Sequence, residues 1–399
     1  MPMHTNRPKE TVAVLFGGRS AEHEVSVITG HQVLDALEAA GYTVLPIYIT
    51  KSGAWYAGRP LYDIDLYANP VLNLDTLQDV YRVSLSPDRT VRQLLPHADS
   101  GRRWFKRLPH LWADVFFPTL HGTFGEDGTL QGLFEMADVA YVGSGVFASA
   151  IGMDKVRMKA LCRDADIPVL DCVAMTRDEW QRDRQGVVKE VEAFSAYPLM
   201  VKPVCLGSSI GVRRCGDREA LQEAIEVALM LDDRALVEPA LGDFFEINCA
   251  VMGPPTQVSA CEQPHTGEAM LSFDAKYKRG GKGVKGGGVK GGMASLGRTV
   301  PAAIPDALAS RIKAFAGHAF QAIGAAGVAR VDFLIERERE KIYFNEINTL
   351  PGSLAFYLWE ADGVPFDELV TRVVHMALDQ HRIRRATQFA FDANLLRSR

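Results

Sequence analysis

Two short runs rich in β-branched and aromatic residues, Gly327 to Ile335 and Lys341 to Ile347, flank the polar stretch ERERE, and no other feature limits the fold as strongly. Such a pair predicts a β-hairpin. Side chains alternate across a strand, so Arg330 and Asp332 share one face of the first strand, and Glu346 and Asn348 share one face of the second. Pairing the strands brings three oxygen-bearing side chains and one guanidinium to one place. Mg2+ takes one or two carboxylates and fills its remaining positions with phosphate oxygens and water. Asp332, Glu346 and Asn348 are therefore the candidate metal ligands. A solvated polar face is the competing reading; the apolar Phe344 and Ile347 alongside, and Pro351-Gly352 just after, weigh against it.

Two further motifs point toward phosphate chemistry. In Lys202-Pro-Val-Cys-Leu-Gly207-Ser208-Ser209-Ile-Gly211, a lysine at a strand end precedes a turn of glycine and small hydroxyl residues. Backbone N–H groups in such a turn can approach phosphate oxygens closely while the lysine supplies charge, although a plain tight turn fits the same residues. The segment Lys278 to Gly292 (KRGGKGVKGGGVKGG) is almost wholly glycine and basic residues, which suits a lid over phosphate better than a neutral linker. A third loop, His121-Gly-Thr-Phe-Gly-Glu-Asp127-Gly-Thr129, follows a predicted strand and presents His121, with Asp127 and Thr129 reading as ordinary capping residues.

The rest of the chain predicts an α/β protein. TVAVLF (Thr11 to Phe16) ends in Gly17-Gly18 and leads into an amphipathic stretch through Leu37; further strands are expected at Thr43 to Ile49, Val115 to Leu120 and Val139 to Val142. That alternation implies a parallel sheet. A second unit opens with a helix over MDKVRMKALCRDADI, ended by Pro168, and continues with strands at Tyr197 to Lys202, Ile210 to Arg213 and Ala235 to Glu238. The third holds Ile247 to Val251, a helix after Ser310 and the hairpin. At 399 residues the chain exceeds one ordinary domain, and the expected divisions are 1–147, 148–240 and 241–399. Tyr56 to His110 is too weakly patterned to assign.

A net charge of −5 argues against a dedicated nucleic-acid binder, and no apolar run is long enough to span a bilayer. The six cysteines lack C-x-x-C spacing and Met1 to Gly18 carries no apolar stretch behind a basic leader, which leads us to expect a cytoplasmic protein with reduced thiols. Cys205 reads as a small buried residue. The G-x-G-x-x-G of dinucleotide-binding dehydrogenases is absent after the first strand.

As an ordered set, GGRSAEHEVS (Gly17 to Ser26), HGTFGEDGTLQG, MDK (Met153 to Lys155), VKPVCLGSSIGV, AKY (Ala275 to Tyr277), ARVDF and NEINTLPG resemble the D-alanine:D-alanine ligases of the ATP-grasp superfamily, from Val12 to about Pro365. The resemblance implies three α/β domains, an N-terminal parallel, Rossmann-like sheet, and ATP held between two antiparallel sheets. It assigns Lys155 and Lys202 to ATP phosphates or adenine, Glu238 and Glu246 to adenine and ribose, Ser209 and Leu241 to the same nucleotide, and Lys276 to the terminal phosphate. Asp332, Glu346 and Asn348 match ligands of Mg2+ or Mn2+, two ions, with ATP as co-substrate. Glu22 matches the acid holding the first amino acid's ammonium, completed by Ser208 and Tyr277 as a hydrogen-bonded triad. Arg330 and the Gly352 N–H match oxyanion stabilisers, and His121, Tyr357 and Leu358 fall at substrate-binding positions. The implied chemistry joins two D-amino acids through an acyl phosphate; the implied partners are ATP and D-amino acids, with no nucleic acid or membrane, and a homodimer is left open.

Three departures stand out. Tyr357 occupies the place of a serine that binds the second substrate's carboxylate, Pro239 stands where a lysine near adenine is common, and the basic loop after AKY is long. A different acceptor, or a non-catalytic sensor on the same fold, are the alternatives these leave.

Overall fold

The computed structural model describes residues 10–69, 72–91, 93–97, 111–265 and 297–390. The first strand, β1 (Thr11–Gly17), is buried on both faces along nearly its whole length, as a central parallel strand must be. It pairs in parallel with β2 (Thr43–Ile49) on one side and β6 (Val115–Pro118) on the other, and β6 pairs in parallel with β7 (Ala140–Tyr141). Helix α1 (His23–Ala39) crosses from β1 to β2, and α2 (Thr129–Ala137) lies between β6 and β7. The parallel core of the sheet is thus as expected, but the sheet is mixed. The unassigned stretch after Tyr56 contributes β3 (Trp55–Ala57), β4 (Tyr81–Leu85) and β5 (Leu94–Pro96), which extend the edge antiparallel to give the order β5-β4-β3-β2-β1-β6-β7. Strands of three to five residues separated by 3-10 turns carry too little alternation to be read from sequence.

The expected helix over MDKVRMKALCRDADI is two helices. Met153 ends α3 (Val146–Met153), after Asp154 leaves helical geometry at φ −87° and ψ 96°, and its carboxylate accepts the N–H groups of Val156 and Arg157 to cap α4 (Lys155–Asp164). The break places Lys155 at the first position of a helix. Next comes a four-stranded antiparallel sheet, β8 (Val173–Thr176), β9 (Leu199–Pro203), β10 (Arg213–Cys215) and β11 (Arg234–Pro239), in the order β10-β9-β11-β8. Strand β10 begins three residues later than Ile210, because Ser208, Ser209 and Gly211 all take left-handed backbone angles and cannot be strand.

A second antiparallel sheet has β12 (Phe244–Gly253), β13 (Gln257–Pro264), β14 (Arg298–Thr299), β15 (Gly327–Glu336) and β16 (Lys341–Asn348), in the order β14-β13-β12-β15-β16. The hairpin of β15 and β16 is as the sequence predicts. The helix expected after Ser310 starts earlier, at Asp306, directly after Pro305, and runs to Ala322. One face of this sheet buries Ile247, Cys249, Val331, Phe333 and Ile347 against Met158 of α4. Its other face buries Ala250 and Met252 with the C-terminal helix Phe366–Arg385, which shares a core with Val12, Val14 and α1. Each fully buried Val, Leu or Ile contributes roughly 1.5–3 kcal/mol, so this shared core fixes the first and last sheets around the space between them. None of the described helices is long and apolar enough to cross a membrane.

Candidate active site

In the hairpin, Arg330 lies opposite Asn348 and Asp332 opposite Glu346; the register then shifts by one, leaving Asn345 as the extra residue. That bulge turns Asn345 out to accept a hydrogen bond from Lys202 Nζ at 3.1 Å while Glu346 keeps its place beside Asp332. Arg330 grips Asp332 with two parallel hydrogen bonds, Nε to Oδ1 at 2.7 Å and Nη2 to Oδ2 at 2.6 Å, and Asn348 Nδ2 donates to Oδ2 at 3.2 Å. Burial pushes the Asp332 carboxyl up to about 7; Arg330 opposes the rise, and Glu246 and Glu346 add to it. The cluster therefore holds more negative charge than one guanidinium offsets. Its donors are two carboxylates and an amide, all hard oxygens, a set that fits a divalent cation of the Mg2+ or Mn2+ kind.

Behind the hairpin lies a second charged cluster. Glu238 on β11, 2% exposed, meets Lys202 of β9 at 2.5 Å and also pairs with Lys159 of α4. Burial alone would raise the Glu238 carboxyl, but the two ammonium groups hold it down to about 2. Lys155 Nζ donates to the Leu206 carbonyl at 2.6 Å and stands 3.8 Å from Glu346. Lys159 was not singled out from sequence. It lies four residues after Lys155, so both lysines fall on the same helix face, and that spacing was the available signal. Pro239 ends β11, and Leu241 and Glu246 follow, Glu246 near enough to Asp332 to act on it electrostatically.

The Gly-Ser-Ser turn faces α1. The Ser208 hydroxyl donates to the Glu22 carboxylate, uniting two residues 186 positions apart. Gly122, at φ 72°, allows this approach, because a Cβ there would lie 2.8 Å from Glu22 Oε2. Ser209 adopts φ 58° beside Ser208. Cys205 is half-buried and its thiol is pushed up to about 11 by burial, with Asp232 adding to the rise, so it is an unreactive neighbour of this turn.

Two residues given no role from the sequence tie the loop after β16 to α1 and to the loop after β6. Glu126 accepts the Gly122 N–H at 2.7 Å and the Leu350 N–H at 3.2 Å, and burial together with Glu22 pushes its carboxyl up to about 8. Thr29 Oγ1 accepts the Ser353 N–H at 3.2 Å and lies 3.0 Å from His121 Nε2. Burial lowers His121 to about 4, with the Leu350 backbone opposing the fall, which leaves a neutral imidazole. His121 thus lines the cleft as expected, and its Nε2 meets the Thr29 hydroxyl.

Beyond Gly352 the chain makes a left-handed turn: Ser353 (φ 54°, ψ 24°), Leu354 (51°, 20°) and Ala355 (48°, 34°). Three such non-glycine residues cost about 1–2 kcal/mol each. The turn is held by burial of Leu354 and Ala355 and by the Thr29 contact. Tyr357 then points its hydroxyl at Glu262 Oε1, 3.4 Å away, with the Arg298 guanidinium 3.8 Å above its ring and bonded to Glu262 at 2.7 Å. Leu358 is fully buried in the core.

Glu22, His121, Glu126, Lys155, Ser208, Arg330, Glu346, Asn348 and Gly352 line one cleft of about 780 Å³, open solvent at its mouth included. Tyr357 and Leu358 are not among its walls. Lys276, Tyr277 and the 278–292 loop lie outside the described residues. The arrangement sets an acid and a hydroxyl on one side of the cleft against a guanidinium, a carboxylate and a carboxamide on the other, with a turn after β16 between them. Such a site can hold an ammonium at one end and stabilise phosphoryl or tetrahedral charge at the other.

A family model described as D-ala D-ala ligase N-terminus matches residues 11–144, and one described as D-ala D-ala ligase C-terminus matches residues 161–375. The D-alanine--D-alanine ligase of Heliobacterium modesticaldum is 39% identical over 381 residues, covering 94% of this chain and 96% of its own length. That of Chloroherpeton thalassium is 38% identical over 385 residues, covering 94% and 98%. Among solved structures, the Coxiella burnetii D-alanine-D-alanine ligase superposes with a TM-score of 0.77 at 27% identity, covering 95% of this chain and 97% of that one. The VanG D-Ala:D-Ser ligase from Enterococcus faecalis gives 0.76 at 29% identity, covering 92% and 99%.

Proposed function

The chain belongs to the D-alanine–D-alanine ligase family, and from that premise we propose that it couples ATP cleavage to the joining of two D-alanines for peptidoglycan precursors. Its two antiparallel sheets are those of the ATP-grasp fold. The observation that carries the reading is the cross-strand cluster of Arg330, Asp332, Glu346 and Asn348, of which Arg330, Glu346 and Asn348 line the same cleft as Glu22 and Ser208 while Asp332 is buried behind them. A divalent cation held by Asp332, Glu346 and Asn348 would neutralise charge on the triphosphate and on the phosphoryl group in transfer.

Glu22 binds the first D-alanine's ammonium, and Ser208 fixes the rotamer of that carboxylate. The amino acid's carboxylate oxygen attacks the γ-phosphorus, the bond to the β-phosphate oxygen breaks, and ADP leaves an acyl phosphate. Lys155 and Lys202 hold phosphate charge, with Lys202 kept in place by Glu238. The second D-alanine's amine then attacks the acyl carbonyl and loses a proton; phosphate departs as the tetrahedral intermediate collapses. Arg330 and the Gly352 N–H stand where the developing oxyanion needs donors, and losing one such donor costs about 10²–10³ in rate. The test measures phosphate release and product mass together. The reading expects both to require Mg-ATP and D-alanine, with D-alanyl-D-alanine formed in step with phosphate. Phosphate released without any D-amino acid, or none released with D-amino acids singly or in pairs, would sink it.

A second reading within the same chemistry changes the acceptor. Tyr357 occupies the position expected for a carboxylate-binding serine, and the E. faecalis structural relative is a D-Ala:D-Ser ligase. Products formed from D-alanine with D-serine or a D-hydroxy acid in competition separate the two.

A further inference from the structure

Gly352 lies between two anchored backbone N–H groups, and the two anchors belong to different elements. Glu126 takes the Leu350 N–H on one side, and Thr29, midway along α1, takes the Ser353 N–H on the other. Thr29 is 1% exposed and Ser353 is equally hidden, so this hydrogen bond is shielded from water. The His121 ring presents Nε2 to the same hydroxyl at 3.0 Å, so the Thr29 hydroxyl bridges His121 and the Ser353 N–H. The Thr29 hydroxyl accepts from the Ser353 N–H and has a proton and a second lone pair left to meet either tautomer of His121. The bridge ends on the first residue of the left-handed turn, a conformation that three L-residues do not hold unaided.

We propose that Thr29 is a positioning residue for the ligation: its hydroxyl holds the Ser353 N–H so that the adjoining Gly352 N–H stays aimed at the oxyanion. The inference rests on the ligase reading. Thr29 is 1% exposed and is not a wall of the cleft, so its effect falls on turnover rather than on nucleotide binding.

The experiment compares Thr29→Val, Thr29→Ala and Thr29→Ser with the wild-type chain in D-alanine and Mg-ATP, recording kcat, KM for ATP, Mg-ADP affinity and Tm. Valine removes the hydroxyl at nearly constant shape, and alanine removes it without placing a second methyl against His121. Both should lower kcat about 10- to 100-fold, the scale of a misplaced catalytic group, with KM for ATP and Mg-ADP affinity within twofold. Serine, which keeps the hydroxyl, should stay within about threefold of wild type. If valine or alanine keeps kcat within twofold, or if serine is as impaired as valine, the inference is overturned, the second outcome pointing to packing by the methyl group. A wild-type chain that forms no dipeptide overturns the ligase reading and this inference with it, whereas an active wild type matched by Thr29→Val overturns the inference alone.

Discussion

The two ends of the cleft are built by opposite means. At the hairpin, Arg330, Asp332, Glu346 and Asn348 project from two paired strands, and the ladder places each one. At Gly352 to Leu358 the backbone turns left-handed for three residues, and its course depends on Thr29, Glu126 and a buried core contributed by distant segments. Strand pairing fixes side chains locally, so such a site tolerates little change in chemistry and needs little support. A turn held by long-range tethers can be re-aimed by altering the tethers, and one of the three departures expected from the sequence, Tyr357, lies at this end.

The sharpest break of that comparison is at Arg330. Arg330→Met should lower kcat for D-alanine-dependent phosphate release by about 10²–10³, and it should destabilise the fold, since it strands Asp332 as a buried carboxyl without its partner. Steady-state kinetics with thermal unfolding checks both. A strand-built site whose guanidinium could be removed at little cost would not be the reaction centre.

The next effect lies behind the hairpin. Glu238 sits near 2 when folded against an ordinary value of 4.5, so its stabilisation is complete above about pH 4.5 and fades as pH falls toward 2. Fully buried, it corresponds to roughly 3 kcal/mol. The difference in unfolding free energy between wild type and Glu238→Gln should therefore shrink across that window, as denaturant titrations at several pH values would record. A constant difference would mean that the lysines do not hold the carboxylate.

Smaller effects belong to the tethered end. Ala355→Gly removes a left-handed penalty at the cost of one buried methyl, and should raise stability by up to about 1 kcal/mol; a loss of stability would show that the turn is not strained. Tyr357→Phe should leave the acceptor KM within twofold, because the hydroxyl faces Glu262 and the side chain is not a wall of the cleft. A tenfold rise in KM would place the phenol in the acceptor site after all.

The same contrast explains what could be read from sequence. The period of two in β15 and β16 told which residues share a face, and the hairpin followed. The break at Asp154 was hidden because an aspartate inside an otherwise helical pattern is both a tolerable interior residue and a strong cap. Ile210 looked like strand because its side chain is β-branched, while the left-handed angles of Ser208 and Ser209 leave no mark in composition. Thr29 and Glu126 act across 324 and 224 residues, so nothing adjacent to them announces a partner. Strands β3 to β5 were too short to show a period.

The central claim is that the paired strands carry the metal-dependent step, and Glu346→Gln tests it most directly. Glutamine preserves the shape and the cross-strand position opposite Asp332 while removing one anionic ligand. With D-alanine and Mg-ATP, the account predicts a fall in turnover of at least about 10²-fold, with thermal stability retained. Turnover within a few-fold of wild type would contradict it, because the hairpin cluster would then be a structural feature and not the centre of the chemistry.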